Sequence, residues 1–177
     1  ENVLPGRPNL MAEIPGPKHL PALVMICHMD TVVIGDGWTL PPFEAIEKDG
    51  KIYGRGACDM KSGLACCLSA FIMAARTLHA SGQAPKRTPK LICSMDEEDF
   101  MRGSEACIRS GWVTSKDWVI DAEPTNGQIQ MAHKGRTWYE IDVEGHTAHA
   151  STPWKGADAI AAMAEIISAL RQDILNA

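Results

Sequence analysis

The chain has 177 residues and a formal net charge of −5, and 45% of its residues are hydrophobic against 22% charged. This balance is typical of a globular protein with an apolar core, and the acidic character, without any basic cluster, excludes nucleic acid as the main partner. We expect no membrane partner, because no apolar stretch is expected to be long enough to cross a bilayer and the N-terminal ENVLPGRPNL lacks the basic start and apolar core of a signal peptide.

Residues up to about 127 alternate short apolar runs with helical patterns. The predicted elements are strands at ALVMIC (22–27), KIYG (51–54), KLICSM (90–95) and WVID (118–121), and helices from Ser62 to His79 and from Ser104 to Arg109. Ser62 is the predicted N-cap of the longer helix. Continuous apolar strands that alternate with helices predict an α/β fold, in which helices flank a sheet containing parallel strands.

The pattern changes after Gly127. Residues 128–144 are predicted to be long and extended, the loop GHTAHASTPWKG follows, and a strong helix runs from Ala157 to Leu175. One strand and one helix cannot bury their own apolar faces, so we expect an incomplete second domain. The predicted domains are 1–134 and 135–177. Since the chain begins at Glu1 rather than Met, we also expect that an upstream segment is absent.

The six cysteines are interpreted as reduced core residues of a cytoplasmic protein rather than as a disulfide framework. They contain no C-x-x-C pair and mostly lie in apolar stretches: Cys27, Cys58, Cys66, Cys67, Cys93 and Cys107. An alternative for Cys58 is metal binding, because it lies beside Asp59, but a thiol that only borders the site is the favoured interpretation.

One histidine and several acidic residues follow the predicted strands or lie in a Gly-rich turn: His28, Asp30, Asp59, Glu97, Glu98 and Glu123. The carboxyl ends of parallel strands meet at one edge of a sheet, where ligands collect. Ionised carboxylates are costly to gather unless a cation neutralises them. Hard oxygen donors with an imidazole favour a dinuclear metal site over a structural zinc site. The sequence therefore predicts a two-metal hydrolase.

The spacing of these residues suggests a division of work. In a strand-like H-x-D, His28 and Asp30 lie on the same face, so Asp30 can orient the imidazole and fix its tautomer. Asp59 lies between glycines that allow close approach to an ion, and it suits a carboxylate bridging two metals. Neighbouring side chains diverge, so one of Glu97 and Glu98 can bind metal while the other acts as general base.

Five stretches resemble the dinuclear zinc amidohydrolase and exopeptidase family that includes acetylornithine deacetylase, succinyl-diaminopimelate desuccinylase, aminoacylase and glutamate carboxypeptidase. In the family's order they are CHMDTV (27–32), GRGACDMKSG (54–63), MDEED (95–99), DAEPT (121–125) and GHTAHASTPWKGADAI (145–160). The resemblance covers nearly the whole chain. It implies a zinc-exopeptidase-like catalytic domain with the beginning of an inserted α+β lid, and a homodimer formed through that lid.

The resemblance also implies a role for each matching residue. His28 is expected to bind one metal together with Glu123, Glu98 to bind the second, and Asp59 to bridge them. Asp30 is the expected orienting residue and Glu97 the general acid and base. His149 resembles the lid histidine that stabilises the oxyanion; His146 is the alternative that the pattern disfavours. Glu at position 123 resembles the deacylase and carboxypeptidase branches.

The sequence departs from the family pattern in three places. A further metal-binding histidine and the carboxylate-binding residues of the later lid would lie beyond Ala177, so we expect an incomplete site and an intact protein about twice as long, as the resemblance implies. Asp158 stands where Asn is usual. Phe100, Met101 and Arg102 replace the small residues that commonly follow the acidic pair.

The expected activity is hydrolysis of the amide bond of an N-acyl amino acid or small peptide, through a metal-bound hydroxide and a Glu general base. Two Zn²⁺ are the expected cofactors, with Co²⁺ or Mn²⁺ as alternatives. Two other interpretations stay open from the residues alone: Glu97 and Glu98 as a solvated acidic turn, and the chain as a non-catalytic binding or assembly module.

Overall fold

A computed structural model describes residues 2–176. The strands are β1 Asn2–Leu4, β2 Arg7–Pro8, β3 Leu10–Glu13, β4 Leu23–His28, β5 Ile46–Lys48, β6 Lys51–Tyr53, β7 Pro89–Ser94 and β8 Trp118–Asp121; the helices are α1 Ser62–Ser81, α2 Arg102–Arg109 and α3 Ala159–Asn176, with a short helical turn at Ala57–Lys61 and another at Pro153–Lys155. The chain forms two compact units, Glu1–Gln130 and Met131–Ala177.

The first unit contains a four-stranded mixed sheet in the order β3-β7-β4-β8. Strand β4 pairs in parallel with β7 and β8, and β3 pairs antiparallel with β7. Helices α1 and α2 both contact β7. The predicted fold class, a parallel-containing sheet flanked by helices, is confirmed.

Burial explains why the central strands are continuous apolar runs. Strands β4 and β7 contribute the fully buried Val24 and Ile92, which form a core cluster with Ala22 and Cys107 of α2. A strand with helices packed beside it and strands on both edges has few solvated positions, so alternation with polar residues disappears.

The register of the sheet brings three strand ends to one edge. His28 of β4 is level with Ser94 of β7, and Ile26 is level with Asp121 of β8. Because these three strands are parallel, the segments that leave them start from the same edge. The chain therefore delivers His28, the acidic run after Met95 and Glu123 to one place.

The entry into α1 differs from the sequence prediction. Lys61 is the N-cap residue, and the structure gives it no side-chain capping bond. Ser62 is the first helical residue instead, and its hydroxyl donates to the carbonyl oxygen of Cys58, 3.0 Å away. The prediction of Ser62 as N-cap is wrong by one residue, because Ser62 already has helical dihedral angles and Lys61 takes the N-cap position before it.

The strand predicted for residues 128–144 is absent from the structure. Residues 128–144, all within the described part of the chain, form no strand; the unit's pairing is an isolated antiparallel bridge between His146 and Ala157. A strand needs a hydrogen-bonded partner to persist, and no described strand pairs with this segment, whose Trp138 and Tyr139 are exposed. The partial alternation of apolar and polar residues in 128–144 is therefore not sufficient to form a strand.

Helix α3 begins at Ala159, two residues after the predicted start. The carboxylate of Asp158 accepts hydrogen bonds from the N–H groups of Ile160 and Ala161, at 2.9 and 3.0 Å. This is the N-capping geometry that Asp and Asn share, which explains why Asp is tolerated at a position where Asn is usual in the resembling family. Whether this unit is the beginning of a lid domain stays a prediction.

One expectation about membranes also changes. Among residues 2–176, one helical segment, Ala57–Ser81, is long and apolar enough to cross a bilayer by length and composition alone, with a mean hydropathy of 1.4. The expectation that no stretch reaches that length was wrong. Core helices pass the same test, and in this unit α1 contacts β4 and β7, with Phe71 buried.

Candidate metal centre

His28 is the centre of the candidate site. Its side chain is buried, and its Nε2 lies 3.1 Å from a carboxylate oxygen of Asp59 and 3.5 Å from one of Glu123. Its Nδ1 lies 2.9 Å from the carbonyl oxygen of Asp30, so a proton on Nδ1 is donated to that carbonyl. This tautomer leaves the Nε2 lone pair facing two carboxylates, an arrangement that a cation between them stabilises.

The surroundings of Glu123 and His28 shift the pKa of both side chains. Burial raises the pKa of Glu123, His28 opposes the rise, and the charges of Asp121 and Asp59 add to it, with a net pKa of about 7. Burial lowers the pKa of His28, but the hydrogen bond with Asp59 and the charge of Glu123 outweigh it, so the net shift is upward. Both shifts favour the protonated form of the side chain.

Two overlapping sets of ligand atoms could hold a metal ion. The ligand atoms of His28, Asp59 and Glu98 lie within 4.8 Å of one another, and so do those of His28, Glu97 and Glu123. Imidazole and carboxylate donors at this spacing fit a divalent cation such as zinc, cobalt or manganese. The structure thus brings together all four predicted ligands. It also places a carboxylate oxygen of Glu97, the predicted general base, within 4.8 Å of a ring nitrogen of His28.

The role predicted for the Asp30 side chain differs in detail. Its carboxylate lies 3.7 Å from Nδ1 of His28, farther than its own carbonyl oxygen. The two carboxylate oxygens instead accept hydrogen bonds from the backbone N–H groups of Glu97 and Glu98, each at 3.2 Å. Asp30 therefore orients the imidazole through its backbone and holds the acidic turn through its side chain.

The turn that carries Asp59 is tied to the end of β4. The N–H of His28 donates to the sulfur of Met60 at 3.0 Å, and Nζ of Lys61 donates to the carbonyl oxygen of Met29 at 2.7 Å. Gly56 has a φ of +79°, and a Cβ there would lie 2.5 Å from a methyl group of Thr31. Sequence reasoning missed Lys61, although its position two residues after Asp59 in the matched motif was a usable signal.

His149 belongs to the second unit. Its Nδ1 accepts a hydrogen bond from the backbone N–H of Ser151 at 3.2 Å and lies 2.9 Å from the hydroxyl of the same residue. An Nδ1 that accepts leaves the ring proton on Nε2, which makes the exposed imidazole a donor. This is the tautomer that an oxyanion donor needs, but the assigned role stays a prediction.

The cysteines contribute no ligand to the metal-capable groups found among the described residues. All six are thiols, and Cys58 is exposed beside the turn that carries Asp59. Burial raises the pKa of the Cys27 and Cys93 thiols, so these two resist ionisation and metal binding. The expectation that the cysteines are core residues is wrong for Cys58 and Cys66, which are exposed, and holds fully for the buried Cys27 and Cys107.

Sequence comparison decides the family. Residues 24–176 match the profile described as Peptidase family M20/M25/M40. The chain belongs to this family. The resemblance inferred from the five motifs is therefore confirmed, and this M20-family chain carries its candidate ligands within or close to the matched region.

Over the aligned residues, curated relatives are about 35% identical to the M20-family chain. A "Probable succinyl-diaminopimelate desuccinylase" of Staphylococcus aureus strain Mu50 is 36% identical over 168 residues, which cover 94% of this chain and 40% of the relative. An "Acetylornithine deacetylase" of Buchnera aphidicola subsp. Schizaphis graminum is 35% identical over 144 residues, covering 81% and 36%. The chain thus spans about 40% of the length of such relatives.

Two solved structures also resemble the M20-family chain. Aminopeptidase PepT from Bacillus cereus ATCC 10987 aligns with a TM-score of 0.48 and 24% identity, covering 90% of this chain and 42% of the other. Human carnosine dipeptidase 1 aligns with a TM-score of 0.46 and 26% identity, covering 64% and 24%.

Proposed function

We propose that the intact protein is a metal-dependent hydrolase that cleaves the amide bond of N-acyl amino acids or small peptides. The observation that carries the proposal is the buried His28, whose Nε2 faces the carboxylates of Asp59 and Glu123 while Glu97 and Glu98 converge on the same ring. Membership of the M20/M25/M40 peptidase family and the desuccinylase and deacetylase names of the relatives support it.

His28 and Glu123 would hold one Zn²⁺, Glu98 the other, and Asp59 both. When bound, such ions supply a Lewis acid for the scissile carbonyl and lower the pKa of water to about 7. The donor set fits this assignment because it combines one neutral imidazole with carboxylates that otherwise repel one another. Co²⁺ and Mn²⁺ suit the same donors.

The chain's own residues divide the remaining work. Glu97 accepts the proton of the attacking water and passes it to the leaving amine. Asp30 holds the backbone on which Glu97 and Glu98 are mounted. His149, with its proton on Nε2, donates to the oxyanion that develops in the transition state.

The proposed substrate class is an acylated amino acid with a free carboxylate, by analogy with the named relatives. A small peptide is the alternative within the same chemistry. We also propose a cytoplasmic, homodimeric protein whose dimer forms through the second domain. These finer points follow from the resemblance and from the reduced cysteines.

The proposal is tested with a panel of acetyl-, succinyl- and aminoacyl-amino acids on zinc-loaded protein. Glu97→Gln is expected to lower kcat by about 100- to 10,000-fold, the usual contribution of a general base, with zinc still bound. Glu105→Gln, a matched exposed glutamate on α2, should hydrolyse like the parent. If the parent binds zinc but hydrolyses no member of the panel, the protein is a binding module instead.

A further inference from the structure

We infer that Arg102 is a positioning residue for Glu97 and Glu98, acting through the buried carboxylate of Asp96. The inference deepens the proposed function and rests on it. It concerns residues 95–103, called the acidic turn below, which leave β7 and enter α2. Arg102 belongs to the Phe100-Met101-Arg102 segment by which this chain departs from the family pattern.

The two ends of the acidic turn are fastened by Asn9. This fully buried side chain accepts a hydrogen bond from the N–H of Met95 at 3.0 Å and donates to the carbonyl oxygen of Gly103 at 2.8 Å. The N–H of Gly103 donates to the carbonyl oxygen of Met95 at 3.1 Å. A Cβ at position 103 would lie 2.1 Å from that carbonyl oxygen, so only glycine permits this closure.

Within the closed turn, Asp96 is a buried charged residue with a left-handed backbone conformation. Its side chain is 1% exposed and its φ is +63°, in the left-handed region. Arg102 donates to both oxygens of its carboxylate, from Nε and from Nη2, the latter at 2.8 Å. A bidentate guanidinium fixes the plane of a carboxylate as well as its charge. The guanidinium of Arg7 is more distant, at 3.8 Å, and its side chain is half exposed.

The functional pair lies directly after this fixed residue. Glu97 and Glu98 receive support from the opposite side, where Asp30 accepts their N–H groups. The turn is therefore held by two carboxylates, one anchored to α2 through Arg102 and one attached to the end of β4. Loss of the Arg102 anchor releases the Asp96 side chain inside the turn, although Asn9 still fastens the ends of the turn and Asp30 still accepts from Glu97 and Glu98. The two glutamates then lose their fixed separation from His28.

The ion pair alone would also serve stability, and the two roles are separable. Removing Arg102 strands a buried carboxylate, which destabilises the fold for reasons unrelated to the site. Removing both partners abolishes that stranded charge. A purely structural pair predicts that the double variant recovers both stability and metal affinity, whereas a positioning role predicts that only stability recovers.

The experiment measures Co²⁺ affinity by titration calorimetry, amide exchange at Glu97 and Glu98, and kcat and KM on the best substrate. Arg102→Met is expected to weaken Co²⁺ binding by about 10- to 100-fold, as for other residues that orient ligands. It should also accelerate exchange at both amides and lower kcat more than it raises KM. Arg102→Lys retains the positive charge but not the bidentate guanidinium, so each measured value should lie between those of the parent and Arg102→Met.

The control is Arg109→Met, which removes an exposed ion pair with Glu105 on the same helix and should leave all three readouts unchanged. In Asp96→Asn/Arg102→Met, stability should return while Co²⁺ affinity stays low. Parent-like Co²⁺ affinity in Arg102→Lys and in the double variant would overturn the inference while leaving the proposed function intact. A parent protein that binds no Co²⁺ would overturn the proposed function and the inference with it.

Discussion

Asp117 and Glu123 flank the same strand, β8, and their carboxylates have opposite surroundings. Asp117 precedes the strand and accepts hydrogen bonds from the N–H groups of Ala22 and Thr114, both at 2.8 Å. Burial raises the pKa of Asp117, but these donors outweigh it and the net pKa is lowered. Glu123 follows the strand among other carboxylates, and burial raises its pKa to about 7.

The difference separates a structural carboxylate from one that needs a ligand. At the amino end of β8 the protein supplies donors for the charge, so the charged form is stable without help. At the carboxyl end it supplies further carboxylates and a buried imidazole, so the charged form of Glu123 is disfavoured unless a cation is bound. Asp117 and Glu123 therefore serve as controls for each other.

The largest effect is expected on metal affinity. Glu123→Gln should weaken zinc binding on the order of 100-fold or more, because it removes a ligand and removal of an outer partner alone costs about 10- to 100-fold. Asp117→Asn should bind zinc like the parent. Titration calorimetry measures both affinities. Equal losses of zinc affinity in the two variants would contradict the assignment of Glu123 as a ligand and Asp117 as a structural carboxylate.

Zinc should also stabilise the protein selectively. At a free zinc concentration of about 100 times the dissociation constant, the free energy of unfolding should rise by about 2.7 kcal/mol. The same rise is expected for Asp117→Asn and a much smaller one for Glu123→Gln at that concentration. Urea unfolding with and without zinc checks this, and a zinc-independent unfolding curve for the parent would refute it.

Without metal, the two ends should respond with opposite signs. Asp117→Ala should lower the free energy of unfolding by about 1–3 kcal/mol, because the N–H groups of Ala22 and Thr114 lose their acceptor. Glu123→Gln should raise it at neutral pH, because it removes negative charge from a crowded cluster. Urea unfolding in the presence of a chelator measures both, and destabilisation by Glu123→Gln would contradict the account.

The smallest effect concerns pH. The folded pKa of Asp117 is below its ordinary value of 3.8, so its contribution to stability is present above that value and is lost as the pH falls through the folded pKa. The difference in unfolding free energy between the parent and Asp117→Asn should therefore be constant near neutral pH and shrink in acid. A difference that persists unchanged below the folded pKa would show that the charge is not the cause.

The sheet and the convergence of the candidate ligands were predictable because both depend on short local patterns. Continuous apolar runs identified β4, β7 and β8, and parallel strands end at a common edge, which brings His28, Glu98 and Glu123 together. Contacts set by turn conformation were not predictable. The Asp30 carboxylate accepts from the Glu97 N–H across 67 positions of sequence, and the turn that presents this N–H contains Asp96 in a left-handed conformation.

The wrong predictions relied on local sequence patterns alone, and in each case the neighbouring backbone determined a different structure. The alternation in 128–144 is compatible with a strand, but no described strand pairs with it. Ser62 has the chemistry of an N-cap, but the helix begins at Ser62 itself and Lys61 occupies the N-cap position. Local residue preference is decisive only where the neighbouring backbone leaves a choice.

The most direct test of the central claim is anomalous diffraction from crystals of the zinc-loaded protein. The account predicts two zinc peaks about 3.5–4 Å apart, with Asp59 between them, His28 and Glu123 at one and Glu98 at the other. A map in which these side chains surround no zinc, while zinc binds elsewhere or not at all, would contradict it.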